Sequence, residues 1–231
     1  MASESEPTRP AHPDAPRGSG FRRRDLALLV VFLAAAGALA AVLIHGKPSP
    51  RVLGSSSVKT SSYAGFVLNP AKPAPPLRLT NYLGVPVNLA SYRGKAVLVT
   101  FLYTHCPDVC PLIASKLHTA LSTMGASERR QVQIIAVSVD PRGDTPASVR
   151  QFLAAHEVTG ELQYLLGSAD TLARVWTQWG VGSRRDSGNP ELVAHTALIY
   201  GIAGDGKIQT IYPSSFTAAD IVRDVPRLAA A

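Results

Sequence analysis

Sulfur-containing and charged residues are scarce in this chain of 231 residues. The two cysteines are too few for the disulfide framework of a small secreted domain or for a zinc finger with paired ligands. There are also only two methionines, Met1 and Met124, which excludes a methionine-rich metal site. Charged residues make up 17% of the chain and hydrophobic residues 46%, and this composition excludes a wholly disordered protein.

The net charge of +7 raises the question of a nucleic-acid partner. From Lys47 onward the basic residues are scattered singly, apart from the pairs Arg129-Arg130 and Arg184-Arg185. The sequence has no basic helix and no basic stripe with interleaved aromatic residues. We therefore interpret the charge as a solvated basic surface and predict no nucleic-acid partner.

Three segments are predicted to precede the folded domain. Residues 1–25 are rich in Pro, Ser and Gly and predict a disordered cytoplasmic tail. Residues 26–44 are an uncharged run of nineteen, which as a helix would span about 28 Å, close to the hydrocarbon core of a bilayer. Because Arg22–Arg24 precede this run, the positive-inside rule predicts a single-pass inner-membrane anchor with the following domain exported. A cleaved leader is the alternative, and residues 45–64 are predicted to be a tether.

Residues 65–231 alternate between predicted strands and helices and are expected to form one domain. Two nearly continuous apolar runs, Ala96–Tyr103 and Gln131–Asp140, are typical of central strands that are buried on both faces. A helix predicted over about residues 112–124 connects them as a parallel pair through a right-handed crossover. Period-two segments predict a first hairpin over residues 77–89 and a last one over residues 193–212. The expected fold class is α/β: a thioredoxin-like three-layer fold with an added N-terminal β-hairpin, preceded by a single transmembrane helix.

Both cysteines lie in the segment Tyr103–Pro111, between a predicted buried strand and a predicted helix. Reactive groups gather at the carboxyl ends of strands in open α/β sheets. Pro107 and Pro111 keep the residue before each of them out of the α-helical region, so Cys106 and Cys110 are expected in a stiff loop that enters the helix. The positive end of the helix dipole favours a thiolate there. Spacing alone leaves three interpretations open: two structural cysteines, a redox-active dithiol, or a clamp for a soft metal ion.

A metal clamp built on two thiolates needs a third donor, for which a histidine is suitable. The six histidines are His12, His45, His105, His118, His156 and His195. The first two lie in segments predicted to precede the domain. His118, on a predicted helix, is interpreted as a surface residue, and His156 as a residue that ends a helix, where a positive charge favours the dipole. The ring of His105 is expected to point away from the neighbouring cysteine. His195 enters the strand that leads into the last hairpin, and in a thioredoxin-like sheet the loop before that strand faces the dithiol loop.

Four parts of the chain form a set that can be compared with known families. They are Tyr92–Lys95, Tyr103–Pro111, Ser138–Pro146 and His195. Together they resemble the Sco/SenC family of membrane-anchored copper chaperones, over about residues 66–229. The resemblance implies that Cys106, Cys110 and His195 bind copper, as Cu(I) or Cu(II). It also implies a partner: cytochrome c oxidase subunit II, whose dinuclear copper site would receive copper or have its cysteines reduced, or another exported cuproprotein.

The residues also leave alternatives to this resemblance. The family commonly has an acidic residue just before the histidine, whereas this chain has Ala194. An exported thiol-disulfide oxidoreductase that uses Cys106 and Cys110 is the alternative function, so enzymatic activity is left open. Oxidation of the pair to a disulfide bond would remove the metal clamp. Asp140 and Asp144 are interpreted as parts of a strand-end turn, with support of the site or partner recognition as the alternative.

Overall fold

The computed structural model describes residues 63–189 and 192–231 of the chain. The predicted tail (1–25) and anchor (26–44) lie outside the described residues, and so does most of the predicted tether. The strands of the described part are β1 (Phe66–Pro73), β2 (Arg78–Asn81), β3 (Pro86–Asn88), β4 (Ala96–Leu102), β5 (Val132–Ser138), β6 (Leu162–Leu166), β7 (Ser183–Arg185), β8 (Val193–His195), β9 (Leu198–Ile202) and β10 (Lys207–Pro213). Its helices are α1 (Val109–Thr123), α2 (Ala126–Arg130), α3 (Pro146–Ala155), α4 (Ala169–Trp179) and α5 (Ala218–Ala230).

One large sheet organises the described domain. Its strand order is β1-β10-β9-β4-β5-β6-β2-β3. β4 runs parallel to β5, and β5 runs parallel to β6, whereas β9 pairs antiparallel with β4. β4 is buried at all seven of its positions because it lies in the middle of the sheet with both faces covered. The predicted α/β class is confirmed, and the two apolar runs are the central strands.

Helices cover both faces of this sheet, as two neighbouring residues of β9 demonstrate. The ring of Tyr200 packs against that of Trp179 in α4, with the centroids 5.2 Å apart. A Cβ atom placed on Gly201 would lie 3.3 Å from a side-chain carbon of Leu228 in α5. Successive residues of a strand point to opposite faces, so α4 and α5 lie on opposite sides of the sheet. The core is therefore divided into two apolar layers with the sheet between them.

The boundaries around the predicted site differ from the sequence-based expectation. The predicted strand from residue 193 to residue 202 is divided in two, because β8 pairs with β7 in a small separate sheet and β9 belongs to the large one. No strand is predicted from the sequence at Ser183–Arg185, since three consecutive polar residues have no period-two apolar signal. Helix α1 begins at Val109, earlier than predicted, so Cys110 is inside its first turn.

The predicted location, a single-pass inner-membrane protein, is corrected by the described helices. The longest of them, α1, has 15 residues and would span about 22 Å, against ~30 Å for the hydrocarbon core of a bilayer. Within residues 63–189 and 192–231, no helix is both long enough and apolar enough to cross a membrane. The run of residues 26–44, from which the prediction was made, lies outside the described residues.

Truncation of Phe101 in β4 tests how much the packing that supports the site contributes to the free energy of unfolding. Its side chain is fully buried, and its ring lies 5.9 Å from that of Trp179 and 6.1 Å from that of Tyr200. Because Phe101→Ala leaves a cavity in this layer, we expect the free energy of unfolding to fall by about 3–5 kcal/mol. Urea unfolding followed by circular dichroism measures the change. Leu112→Ala is the control: this side chain is 54% exposed, so its truncation should change stability by less than about 1 kcal/mol. Equal losses in the two variants would contradict the prediction.

Candidate metal centre

The two cysteines lie side by side at the start of α1. Cys106 is in the loop that follows β4, and Cys110 is the second residue of the helix. Both are buried, and both are free thiols. The backbone N–H of Cys110 donates a hydrogen bond to Sγ of Cys106 over 3.4 Å. Because the N-terminus of a helix is the positive end of its dipole, this contact stabilises a negative charge on Cys106.

His195 lies beside this pair although 85 positions separate it from Cys110. Its Nε2 atom is 3.6 Å from Sγ of Cys110. Its Nδ1 atom is 3.2 Å from the backbone carbonyl oxygen of Thr196. A carbonyl oxygen can only accept a hydrogen bond, so the proton of the neutral ring is assigned to Nδ1. Nε2 then carries a lone pair that faces the sulfur atoms and is suitable for a metal ion.

The distance between these donors fits a shared metal ion. Typical metal–sulfur and metal–nitrogen distances of ~2.3 and ~2.0 Å, at a trigonal angle, separate two donors by about 3.7 Å. Sγ of Cys110 and Nε2 of His195 are 3.6 Å apart. In the part of the chain that the structure describes, no three His, Cys, Asp or Glu side chains form a complete metal-binding cluster. The role of Cys106, Cys110 and His195 as ligands therefore stays a prediction.

Of the two cysteine side chains, one carries a negative charge and the other a proton at neutral pH. The hydrogen bond with the Cys110 thiol lowers the pKa of Cys106 to about 3 and outweighs the opposing effect of burial. The same hydrogen bond, together with burial and the charge on Cys106, raises the pKa of Cys110. At neutral pH the charge is therefore on Cys106 and the proton on Cys110.

Tyr103 is a part of the site that its position in the sequence does not reveal. Its buried ring meets the ring of His195 edge to face, with the centroids 5.7 Å apart. Burial, and the negative charge and hydrogen bond of Cys106, raise the pKa of the Tyr103 phenol to about 12, against the effect of the Val193 backbone. The hydroxyl group therefore stays protonated and can donate to the Cys106 thiolate. An aromatic residue at the end of a buried strand is usually read as core packing, which is why the sequence does not single it out.

Asp144 holds the cysteine loop in place. Its carboxylate accepts hydrogen bonds from the backbone N–H of Thr104 over 2.8 Å, from the hydroxyl of Ser138 over 2.6 Å and from that of Tyr164 over 2.9 Å. Burial raises the pKa of Asp144, and these hydrogen bonds act in the opposite direction. Thr104 lies two residues before Cys106, so the turn at Asp144 positions the loop that carries the first sulfur. The supporting role weighed for this residue fits its contacts.

The remaining histidines of the described part have other partners. His118 lies on α1 with Nδ1 3.1 Å from a carboxylate oxygen of Glu161. His156 follows α3, and its ring packs on that of Phe152 with the centroids 4.6 Å apart. His105 is exposed, and its Nδ1 atom is 3.2 Å from the hydroxyl of the preceding residue. None of these contacts involves a sulfur atom, in agreement with the interpretation of these histidines from the sequence.

Comparison with known proteins identifies the family. A family model for SCO1/SenC matches residues 68–230. The chain belongs to the SCO1/SenC family. Over 157 residues it is 31% identical to the mitochondrial protein SCO2 homolog of Mus musculus, a match that covers 66% of this chain and 61% of that protein. It is 26% identical over 155 residues to the SCO1 protein homolog of Bacillus subtilis, covering 65% of this chain and 79% of that protein.

Solved Sco structures have the same fold. The apo Sco1 protein of Thermus thermophilus is 29% identical with a TM-score of 0.62, and the match covers 74% of this chain and 99% of that one. ScoI of Bradyrhizobium japonicum, solved with copper bound, is 31% identical with a TM-score of 0.56, covering 68% of this chain and 99% of that one. The predicted thioredoxin-like character of the domain agrees with these matches. The chain spans about three-fifths of the mouse relative and about half of its Bos taurus counterpart.

The shared charge predicts an unusual titration of the cysteines. At pH 7 we expect the absorbance at 240 nm to report about one thiolate per chain, because the pKa of Cys106 is lowered to about 3. Cys110→Ala removes the largest cause of that lowering, so the pKa of Cys106 should rise by several units toward ~8.5. Absorbance from pH 3 to pH 9 measures both titrations, and Cys106→Ala serves as the control that lacks the low-pH thiolate. A wild-type titration near pH 8.5 would contradict the assignment.

Proposed function

We propose that residues 65–231 form a copper-binding domain in which Cys106, Cys110 and His195 hold the ion. In this proposal the protein delivers copper to, or prepares the cysteines of, the dinuclear copper site of cytochrome c oxidase subunit II, or of another cuproprotein. The observation that carries the proposal is the 3.6 Å contact between Sγ of Cys110 and Nε2 of His195. Family membership and a copper-bound relative of 31% identity support it.

The chemistry of the three donors suits monovalent copper. Cu(I) is a soft ion that prefers thiolate and imidazole ligands. Two thiolates and one neutral imidazole around Cu(I) give a net charge of −1, which is close to the charge that the pair of sulfurs already carries without metal. The N-terminus of α1 stabilises this charge. Little electrostatic rearrangement is therefore needed when the ion enters or leaves.

An open pocket beside the donors supports transfer of the ion to a partner. Cys106 and His195 line a surface pocket together with Pro107, Asp108 and Leu192. An ion with three protein donors leaves a coordination position for a ligand of the acceptor, so copper can move by exchange of one ligand at a time. Ala194, in place of the acidic residue common in the family, leaves the imidazole without a carboxylate directly before it in the chain.

Thiol-disulfide exchange is the alternative that uses the same cysteines. The lowered pKa of Cys106 would suit a nucleophilic thiolate. Exchange between thiols, however, has no need of an imidazole nitrogen held against the second sulfur. The SCO1/SenC family match therefore favours copper handling over an oxidoreductase. If His195→Ala left the activity of the protein unchanged, this result would favour thiol-disulfide exchange instead.

Copper binding itself tests the proposal directly. We expect the reduced full chain to bind about one Cu(I), measured by competition with a chromophoric Cu(I) chelator and by metal analysis. Cys106→Ser and Cys110→Ser should each abolish stoichiometric binding, and His195→Ala should weaken it by about 10- to 100-fold. His118→Ala is the matched control, because this histidine contacts Glu161 rather than a sulfur atom. Stoichiometric copper retained by the double cysteine variant would overturn the proposal.

Release of one proton per copper is a second expectation. Cys106 is already a thiolate at neutral pH, so Cys110, whose pKa is raised, is the thiol that has to lose its proton on binding. The apparent Cu(I) affinity should therefore fall about tenfold for each pH unit between pH 9 and pH 7. Calorimetry in two buffers of different ionisation enthalpy counts the released proton. Release of two protons at pH 8 would contradict the assignment of the charge to Cys106.

A further inference from the structure

The histidine of the candidate site lies on a hairpin that the main sheet does not hold. β7 and β8 form their own two-stranded sheet, and in the described part of the chain they share no ladder with the eight other strands. Ser183 pairs with His195 in this hairpin, and Arg185 pairs with Val193. Side-chain contacts between the hairpin and the rest of the domain therefore contribute to where the imidazole lies. Two of them are made by β7, through Ser183 and Arg185.

An ion pair with a buried carboxylate ties β7 to the turn that follows β5. The Asp140 side chain is only 2% exposed, and one of its carboxylate oxygens accepts from the guanidinium group of Arg185. The backbone N–H of Arg142 donates to the same oxygen over 3.2 Å, and the Asp140 N–H donates to the hydroxyl of Ser138 over 3.1 Å. The Asp140 carboxylate is held by its own turn and is almost fully buried. Loss of the Arg185 cation would leave an unpaired buried charge, which destabilises the folded state.

A second contact lies two residues before Arg185 on the same strand. The hydroxyl of Ser183, opposite His195, donates to the backbone carbonyl oxygen of Val139 over 3.1 Å. Both ends of β7 are thus bonded to adjacent residues of one turn, Val139 and Asp140. Two contacts that are separated along the strand fix the direction of the hairpin as well as its position.

The same turn also holds the cysteine side of the site. Asp144 accepts from the backbone N–H of Thr104, just before Cys106. The space within the turn is tight: a Cβ atom on Gly143 would clash with a carboxylate oxygen of Asp140. The segment Ser138–Asp144 therefore contacts the histidine hairpin through Asp140 and the cysteine loop through Asp144. This one segment therefore links the two sides of the site.

We propose that the Asp140–Arg185 ion pair positions His195, so that Nε2 faces the cysteine sulfurs and serves as the third copper donor. Arg185 is in this sense a positioning residue, which acts through the hairpin without touching the metal. The part of this inference that concerns copper rests on the proposed function. The part that concerns the hairpin can be tested without metal.

The experiment compares two adjacent arginines in the full chain. Arg185→Ala removes the ion pair, whereas Arg184→Ala removes the same charge from an exposed position of the same strand. Without metal, we expect the amide of Thr196, which donates to the carbonyl oxygen of Gly182 over 3.1 Å, to exchange its hydrogen faster in Arg185→Ala and at an unchanged rate in Arg184→Ala. Asp140→Asn should reproduce the effect of Arg185→Ala, and Arg185→Lys should restore slower exchange because the cation is kept.

Cu(I) affinity is then measured with and without Arg185→Ala, first in the wild-type chain and then in the His195→Ala variant. We expect Arg185→Ala to weaken binding by about 10-fold when His195 is present, as for other residues that orient a metal ligand. In the His195→Ala background the same substitution should have no further effect, because the donor that it positions is already missing. Equal losses in both backgrounds, or equal losses for Arg184→Ala and Arg185→Ala, would overturn the inference.

The two hypotheses fail in different ways. If the wild-type chain binds no stoichiometric Cu(I), or if His195→Ala binds as tightly as wild type, the proposed copper site is wrong. Hydrogen exchange at Thr196 then decides the positioning role alone: unchanged exchange in Arg185→Ala overturns it, and faster exchange supports it. If wild type and His195→Ala behave as proposed while Arg185→Ala matches wild type, only the positioning inference is wrong.

Discussion

The candidate site depends on the contact between the sulfur of Cys110 and the imidazole of His195, which are 85 positions apart in the chain. The sheet makes it possible. β4 and β9 are antiparallel neighbours, with Thr100 paired to Ile199. The residues just after β4 and those just before β9 therefore lie at the same edge of the sheet. The cysteine loop follows β4 and the histidine precedes β9, so the pairing of two buried strands brings the two thiols and the imidazole together.

Electrostatics explains why this edge suits a cation. A buried thiolate is costly unless hydrogen bonds and dipoles stabilise it. At Cys106 the stabilisation comes from the thiol of Cys110 and from the N–H groups at the start of α1. The charge is therefore present before any metal arrives. A site of this kind attracts a soft monovalent cation and keeps only a small net charge when the ion is bound.

The turn Ser138–Asp144 supports the candidate site from two sides. Its carboxylates act on opposite sides: Asp144 fixes the loop of Cys106 and Asp140 holds the strand opposite His195. Much of this was within reach of sequence reasoning. The buried strands follow from apolar runs and the cysteine loop from its two prolines. The ligand set Cys106, Cys110 and His195 is a prediction that rests on a resemblance. The inner-membrane location expected from residues 26–44 has no counterpart among the described helices.

The sequence by itself determined the α/β order of elements and the place of the dithiol between a strand and a helix, because hydrophobic period and proline geometry are local properties. Only the tertiary structure decided how close His195 comes to the sulfur of Cys110, which sulfur carries the charge, and that Tyr103 and Arg185 belong to the surroundings of the site. These features depend on contacts between residues that are far apart in the sequence. Strand β7 illustrates the difference: its residues are polar and have no strand signal, yet they pair with β8 while a carboxylate and a carbonyl group of another segment bind Arg185 and Ser183.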